Sequence, residues 1–399
     1  MKTRIFNAII LSGNELVKGE LHIENDRITY IGDGEDCDCV DTAQNAERDC
    51  NLCDKQATFG KNSWDKEINA NGNLVAPSFK NAHAHSPMTF LRSYADDLPL
   101  QSWLFEKVFP NEAKLTDDDC YWLTRLSVLE YLSSGMSVAS DMYFHLDAIA
   151  DACIDSGFRN VILEGISESN KVGLVERLDN GKKNLDKKGG LVEYRLGLHA
   201  EYTNSLDNIK AIVEYSKLNK MPLFTHISET KKEVEECRGR YGVTPIELID
   251  SLGGWDNGGT VYHCVHPNDE DLKILASKKV AVVTCPSSNL KLASGIAPIC
   301  KMLDLGINVA VGTDGAASNN AQDMFREMFL ATALQKVALG MADALPANVV
   351  LDMATKNGAL AMNLEDLDCL AVGKIADLVV IDLAQPNMQP IHNIVKNIV

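Results

Sequence analysis

Eight short apolar runs, each followed by a segment with helical spacing, constrain the fold of this chain most strongly. From about Ala76 onward the runs read NLVAPSF, SVASDMYF, NVILEGI, EYRLGLHA, MPLFTHI, TVYHCV, VAVVTCP and NVAVGTD. Between them, segments such as 118–132 and 206–218 carry apolar residues three or four apart, which predicts helices. Continuous apolar strands alternating with helices indicate a parallel sheet covered by those helices. The pattern predicts an α/β fold of the (β/α)8 TIM-barrel type, although a doubly wound open sheet shares much of it.

The two ends of the chain have a different pattern. RIFNAII, GELHIEN and RITYIG near the start, and KIADLVVIDL near the end, alternate apolar and polar residues as in antiparallel sheets. We therefore expect residues 1–75 and 366–399 to form one small β-sandwich domain, with the barrel at residues 76–365 inserted between them.

A cysteine-containing stretch at about residues 35–65 looks like an insertion in this small domain. Two cysteine pairs separated by a loop could hold a structural Zn²⁺, but C-x-C followed by C-x₂-C is not a well-attested spacing. Free thiols in a surface insertion are the alternative. The residues concerned are Cys37, Cys39, Cys50 and Cys53.

The net charge and the composition limit the classes of partner that this chain could bind. The formal net charge of −18 argues against nucleic acid, which needs basic side chains, and gives no support for binding to anionic lipid. No apolar run approaches the roughly 20 residues needed to cross a bilayer, and the start lacks a signal-peptide pattern. The 11 scattered cysteines fit a reducing cytoplasm. We expect a cytoplasmic protein with a small-molecule substrate and leave homo-oligomerisation open.

Histidines stand at the ends of several predicted strands. His83 and His85 follow the first run, and His199, His226 and His263 end the fourth, fifth and sixth. Enzymes with such barrels carry out their chemistry at the carboxyl ends of the strands. Each histidine alone could be structural, but their common position predicts a functional site.

An aspartate completes a set of metal ligands. Asp314 ends the eighth run, and His83 and His85 are two apart, so both point to one side of a strand. With His226 they offer three nitrogens and one oxygen, a set that suits Zn²⁺ and similar ions. We predict one divalent metal ion, with Zn²⁺ favoured and Fe²⁺ or Mn²⁺ acceptable, that lowers the pKa of a bound water toward neutrality.

Two further residues could move or hold protons. Glu229 comes three residues after His226, so a turn from strand to helix would place its carboxylate beside the water as a general acid and base. An ordinary acidic residue in a first helical turn is the alternative. His263 could hold the attacking water, or it could be a second metal ligand. A binuclear site bridged by a carboxylated lysine is not expected, because no lysine ends the relevant runs.

At this point the residues resemble the amidohydrolase superfamily, and within it the branch of methylthioadenosine/S-adenosylhomocysteine deaminases and chlorohydrolase-like (ATZ/TRZ) enzymes. The resemblance covers nearly the whole chain from about residue 70. The matching segments are APSFKNAHAHSPMTFLRSYADDLPLQSWL, LHAEYTNS, THISET, YHCVHP, TCPSSNLKLASGIAPI, VGTDGAASNNAQDMFREM and LAVGKIADLVVID.

The resemblance implies the metal ligands already predicted and assigns Glu229 as the proton shuttle. It further implies that His263 assists at the metal centre and that Asp314 hydrogen-bonds the attacking water. Glu112 matches a glutamate that contacts the purine ring in the deaminases, and His199 matches their substrate-binding histidine.

The chain departs from the pattern near the predicted substrate pocket. Relatives carry an arginine in a Ser-Arg-Gly context at the end of the third strand, where this chain reads Leu163-Glu164-Gly165. That arginine contacts the distal group of the substrate, so specificity for a thio- or homocysteine-ribose is in question. Arg177 could supply a guanidinium from the following loop. Glu201 stands where relatives usually have proline.

Three functions are compatible with these residues. The leading prediction is deamination of a purine nucleoside or related aminated heterocycle, in which metal-bound hydroxide attacks and ammonia leaves. The alternative is a metal-dependent hydrolase of another heterocycle, such as a guanine, 8-oxoguanine or pterin deaminase, a chlorohydrolase or a cyclic amidase. A non-catalytic scaffold is disfavoured, since all four ligands and the shuttle are present.

Overall fold

The computed structural model describes residues 1–13, 15–33, 64–170 and 173–399. The cysteine pairs that could hold a structural zinc fall outside these ranges. Fourteen strands lie within them. The strands are β1 (Lys2–Ser12), β2 (Glu15–Glu24), β3 (Arg27–Gly32), β4 (Lys66–Asn69), β5 (Leu74–Pro77), β6 (Phe79–Ala84), β7 (Met136–Tyr143), β8 (Arg159–Glu164), β9 (Val192–Ala200), β10 (Leu223–Ile227), β11 (Gly259–His263), β12 (Val280–Thr284), β13 (Val309–Val311) and β14 (Leu378–Ile381).

Helices follow most of the later strands. In the described ranges, no helix is long and apolar enough to cross a bilayer. The segment between α1 and α2 is a π-helical turn at Trp103–Val108, and short 3₁₀ turns lie at Ser86–Leu91 and Glu201–Thr203. The α-helices are α1 (Leu100–Ser102), α2 (Phe109–Glu112), α3 (Asp117–Ser133), α4 (Leu146–Ser156), α5 (Leu174–Lys188), α6 (Leu206–Asn219), α7 (Lys231–Tyr241), α8 (Pro245–Ser251), α9 (Asp269–Ser277), α10 (Pro286–Lys291), α11 (Ile299–Asp304), α12 (Ala316–Asn319), α13 (Met324–Leu339), α14 (Ala347–Ala354), α15 (Lys356–Ala361) and α16 (Ile394–Ile398).

The chain divides into two compact units. The first consists of Met1–Pro77 and Cys369–Gln389, and the second of Ser78–Asp368 and Pro390–Val399. The last ten residues, which we expected in the small β-domain, therefore group with the second unit, where α16 packs against α14.

The first unit is built on a six-stranded sheet from both ends of the chain. Its strand order is β14-β5-β1-β2-β3, and β4 also pairs with β1. The two-residue alternation near the N-terminus places Ile5, Leu21 and Ile28 in a shared hydrophobic core. Burial of these side chains holds the sheet together through the hydrophobic effect.

The second unit is a parallel eight-stranded barrel in which the strands from β6 to β13 lie in chain order. A parallel bridge between Ala84 and Asp314 joins the first and last strands, so the sheet closes. The backbone N–H of Asp314 donates to the carbonyl of His83 at 3.0 Å. The predicted (β/α)8 barrel is confirmed.

The first apolar run does not form the first barrel strand as expected. Most of NLVAPSF is β5, which pairs with β1 and β14 in the first unit, and only Phe79 belongs to β6. The barrel strand is instead FKNAHA, whose six residues are all buried. A run of continuous apolar residues cannot reveal this division, because strands of either sheet can be buried on both faces.

Side chains from β6 and the end of β13 secure the closure of the barrel. The Asn81 side chain accepts the N–H of Thr313 at 2.9 Å and donates to the Thr313 hydroxyl at 2.7 Å. Both residues are fully buried. Gly312 permits the approach, since a Cβ there would lie 2.8 Å from the backbone nitrogen of His83.

We predict that Asn81→Ala lowers the free energy of unfolding by about 1–3 kcal/mol, because the buried N–H of Thr313 loses its acceptor while the hydroxyl keeps its hydrogen bond to the carbonyl of Asp314. Denaturant unfolding of the two proteins measures the difference. The control is Asn184→Ala at an exposed position on α5, where we expect a change within about 0.5 kcal/mol. Equal stability of Asn81→Ala and the unmodified protein would contradict this role.

Candidate active site

The side chains expected to bind metal meet at one end of the barrel. His83 lies in β6 and His85 directly after it, His226 is in β10, and Asp314 follows β13. All four are buried. All four residues therefore lie at or just after the carboxyl ends of β6, β10 and β13, where barrel enzymes carry out their chemistry.

The ligand atoms approach one another closely. Nε2 of His226 lies 3.1 Å from Nε2 of His83 and 3.3 Å from Nε2 of His85. Oδ1 of Asp314 lies 3.6 Å from Nε2 of His83 and 3.2 Å from Nε2 of His85. Four ligands bound tetrahedrally to one zinc at about 2.0–2.1 Å would lie about 3.3–3.4 Å apart. The observed spacing therefore fits one ion at the centre.

Hydrogen bonds on the far side of two rings direct their other nitrogens to this centre. Nδ1 of His85 donates to the carbonyl of Met142, and Nδ1 of His226 donates to the carbonyl of His199 at 2.6 Å. A neutral imidazole with its proton on Nδ1 carries a lone pair on Nε2. Such backing of the ring by a carbonyl is typical of metal-binding histidines.

Asp314 is oriented equally firmly. Its Oδ2 accepts hydrogen bonds from the hydroxyls of Ser288 at 2.6 Å and Ser318 at 2.8 Å, while Oδ1 accepts the N–H of Gly315 at 2.8 Å. The backbone of Asp314 has a φ of 60°, in the left-handed region that is costly for a residue with a side chain. The surrounding hydrogen bonds hold the carboxylate in this position.

The electrostatics of the cluster favour positive charge at its centre. Burial, together with neighbouring histidines, holds the pKa values of His83 and His226 well below the ordinary range, so both rings are neutral. Burial also acts to lower the pKa of His85, but its hydrogen bond and charge interaction with Asp314 raise that pKa to about 9. The two neutral rings and the Asp314 carboxylate offer lone pairs to a cation, which would replace the proton that Asp314 favours on His85.

Two further polar groups face the ligands. Nε2 of His263 lies 3.9 Å from Oε2 of Glu229 and 4.0 Å from Oδ2 of Asp314. Nδ1 of His263 donates a hydrogen bond to Oδ1 of Asn289 at 2.8 Å, which turns Nε2 toward the site. Oε1 of Glu229 accepts the Ser294 hydroxyl at 3.1 Å, and burial raises the pKa of Glu229. These groups could hold a water molecule and take a proton from it.

A cavity opens beside this cluster, with one apolar wall. The segment from α1 through α2 contributes Leu100, Trp103, Leu104 and Phe109, and Leu292 lies elsewhere in the lining. Among the described residues that line it, none is a lysine or arginine. A flat heterocycle with little charge would suit such a cavity.

Glu112 and His199 both line the cavity, as expected for substrate contacts. Burial raises the pKa of Glu112, and its Oε1 has no hydrogen-bond partner within the described ranges. Burial lowers the pKa of His199 to about 3, so its ring is neutral. A buried carboxylate oxygen without a partner is costly unless a ligand donates a hydrogen bond to it.

Arg177 does not line the cavity. Its Nε lies 2.7 Å from Oε1 of Glu164, so the residue that departs from the family pattern engages this guanidinium. The expectation that Arg177 contacts the substrate therefore lacks support from its position. Glu201 likewise faces elsewhere and pairs with Arg240 at 2.6 Å.

Sequence reasoning missed several residues of the site. Tyr143 and Tyr202 line the cavity, while Ser288 and Ser318 hold Asp314. Tyr143 could have been identified, because it ends β7 as the histidines end their strands. The two serines gave no comparable signal, since their roles depend on helices that follow the seventh and eighth barrel strands.

Comparisons with known proteins show the family to which this chain belongs. A model of the amidohydrolase family matches residues 74–398. A 5-methylthioadenosine/S-adenosylhomocysteine deaminase of Moorella thermoacetica is 39% identical over 400 residues, covering 98% of this chain and 87% of the relative. A deaminase of the same name from Desulforudis audaxviator is 43% identical, covering 82% of this chain and 77% of its own length.

Among solved structures, an adenosine deaminase from Xanthomonas campestris with bound zinc superimposes with a TM-score of 0.88 at 28% identity. The match covers 99% of this chain and 88% of that chain. The family match extends over the whole barrel, including every residue of the ligand cluster. The chain is a member of the amidohydrolase family.

Proposed function

We propose that this chain is a metal-dependent aminohydrolase that removes the amino group from the purine of an adenosine, methylthioadenosine or S-adenosylhomocysteine type of nucleoside and releases ammonia. The observation that carries the proposal is the convergence of four ligand atoms beside Glu229 and His263 in a cavity. The names of the relatives, which are deaminases of such nucleosides, support the substrate class.

One divalent ion would be held by His83, His85, His226 and Asp314. The bound zinc of the Xanthomonas adenosine deaminase supports zinc as this ion. A binuclear centre bridged by a carboxylated lysine needs a lysine in the cavity, and the described lining has none. When bound, the ion would supply Lewis-acid activation of water.

Glu229 would carry the proton between water and substrate. Its raised pKa suits a group that accepts a proton from the attacking water and returns it to a ring nitrogen. A second transfer would move the proton of the added hydroxyl group to the amino group, so that the C–N bond breaks, ammonia departs and the oxygen stays on the ring carbon as a carbonyl. His263 and Oδ2 of Asp314 would orient the water by hydrogen bonds.

The other end of the substrate would contact the far side of the cavity. Oε1 of Glu112 would accept a hydrogen bond from a ring N–H or a sugar hydroxyl, and the neutral His199 would bond a ring or sugar atom. The apolar wall of α1 and its π-helical turn would cover the base. A lining without basic side chains in the described part of the chain disfavours phosphorylated nucleosides.

A small heterocyclic molecule is thus the proposed partner, and the net charge of −18 argues against nucleic acid. We place the activity in the cytoplasm. Five buried cysteines that form no disulfide support a reducing compartment: Cys120, Cys153, Cys237, Cys264 and Cys285. Formation of a homo-oligomer stays a prediction.

Substrate identity is tested by ammonia release from a panel of adenosine, methylthioadenosine, S-adenosylhomocysteine, AMP, guanine, 8-oxoguanine, cytosine and a pterin. We expect turnover of at least one of the three unphosphorylated adenine nucleosides and little of AMP, because the described lining has no lysine or arginine to pair with a phosphate. The zinc-loaded protein and a chelator-treated sample are assayed in parallel. Turnover of guanine, cytosine or the pterin, with none of the adenine nucleosides, would overturn the proposal.

Glu229→Gln tests the proton shuttle. We expect kcat to fall by roughly 10²–10⁴-fold, because the amide cannot exchange the proton, while bound metal is unchanged since Glu229 is not a ligand. Steady-state kinetics and metal analysis on one sample measure both. The control is Glu235→Gln on the exposed side of α7, which should keep full activity. Unchanged turnover in Glu229→Gln would remove this residue from the mechanism.

A further inference from the structure

We propose that Glu233 is a positioning residue that fixes the turn bearing Glu229 and so sets where the proton shuttle stands. This inference rests on the proposed function, since it assigns Glu233 a role in the same reaction. Glu233 lies in the first turn of α7, does not line the cavity and is 1% exposed.

Both carboxylate oxygens of Glu233 accept backbone hydrogen bonds from the turn. Oε1 accepts the N–H of Ser228 at 2.6 Å, and Oε2 accepts the N–H of Glu229 at 2.8 Å. β10 ends at Ile227, so the sheet no longer satisfies these two donors. A buried N–H without a partner is unfavourable, and one side chain satisfies both.

The turn has an unfavourable backbone conformation that needs such support. Ser228 has a φ of 52°, in the left-handed region that residues with a side chain avoid. The hydrogen bonds from the N–H groups of Ser228 and Glu229 to Glu233 hold this conformation, and the strand can then turn sharply enough for Glu229 to face the ligand cluster. Strain of this kind persists where the surrounding contacts determine the geometry.

The same turn is tied to the loop that carries His263. The carbonyl of Ser228 accepts the N–H of Val265 at 3.0 Å and that of His266 at 2.9 Å. Glu233 therefore holds the Ser228 peptide from one side while the His263 loop holds it from the other. This peptide therefore sets the distance between Nε2 of His263 and Oε2 of Glu229, which is 3.9 Å.

Ordinary capping of a helix does not account for these contacts. Thr230 caps α7, and its hydroxyl accepts the N–H of Glu233 at 3.2 Å. In the neighbouring α8, Glu247 at the same helical position bonds the N–H of its own cap, Thr244, at 2.8 Å. Glu233 instead accepts backbone N–H groups one and two residues before its cap, at Glu229 and Ser228, in the turn that carries the proton shuttle.

Glu233→Gln tests the proposal with little change in shape. The amide offers one acceptor and turns an N–H group toward the second donor, so the turn loosens. We expect kcat to fall by roughly 10–100-fold, the loss typical of a displaced catalytic group, with KM changed less than about twofold and metal content unchanged. Glu247→Gln is the matched control, because Glu247 accepts only one backbone N–H from the described residues and the amide keeps one acceptor for it, so we expect no loss of kcat.

A double variant separates action through Glu229 from a general effect. If Glu233 acts by placing Glu229, then Glu233→Gln causes no further loss of kcat in a Glu229→Gln background. Equal losses in both backgrounds, loss of metal, a change in KM alone, or full activity of Glu233→Gln would each overturn the proposal.

Hydrogen exchange of the metal-loaded protein gives a readout that does not need turnover. We expect faster exchange of the Ser228 and Glu229 amides in Glu233→Gln and unchanged exchange there in Glu247→Gln. Unchanged exchange in Glu233→Gln overturns the proposal even if kcat falls. If the unmodified protein acts on no member of the substrate panel, the proposed function fails, and the exchange measurement still decides whether Glu233 holds the turn.

Discussion

The hydrogen bond from the backbone N–H of Asp314 to the carbonyl of His83 joins the last barrel strand to the first, and the candidate site depends on it. The ligands His83 and Asp314, which are 231 residues apart in the sequence, become neighbours only where the first and last strands of the barrel meet. The closure in turn requires Gly312, where no side chain would fit, and the buried pair of Asn81 and Thr313.

Hydrogen bonds around the ligands hold this cluster of buried polar groups in one arrangement. Carbonyl groups accept the outer protons of two histidines, and serine hydroxyls bond the aspartate. Four residues that end the strands have positive φ, which costs energy. They are Ser228, His263, Cys264 and Asp314. Their concentration at one end of the barrel indicates that stability is given up for the geometry of the site.

The barrel and the ligand cluster could be predicted from the sequence because both depend on local patterns. Apolar runs reveal strands, and a polar residue at the end of a run must face the carboxyl end of the barrel. The division of the first run between two sheets could not be predicted, since both strands are buried. Two contacts could not be predicted either: the ion pair of Arg177 with Glu164 and the hydrogen bond from Ser228 to Glu233. Both depend on the conformation of the loops after the strands, which residue patterns do not determine.

X-ray absorption at the zinc edge, with metal analysis of the same sample, tests most directly whether one ion binds three histidines and an aspartate. A variant with serine at Cys37, Cys39, Cys50 and Cys53 excludes zinc held by those thiols. The account predicts one equivalent of metal with nitrogen and oxygen ligands at about 2.0–2.1 Å. A second ion at about 3.5–4 Å from the first, or metal retained in full after His226→Ala, would contradict it.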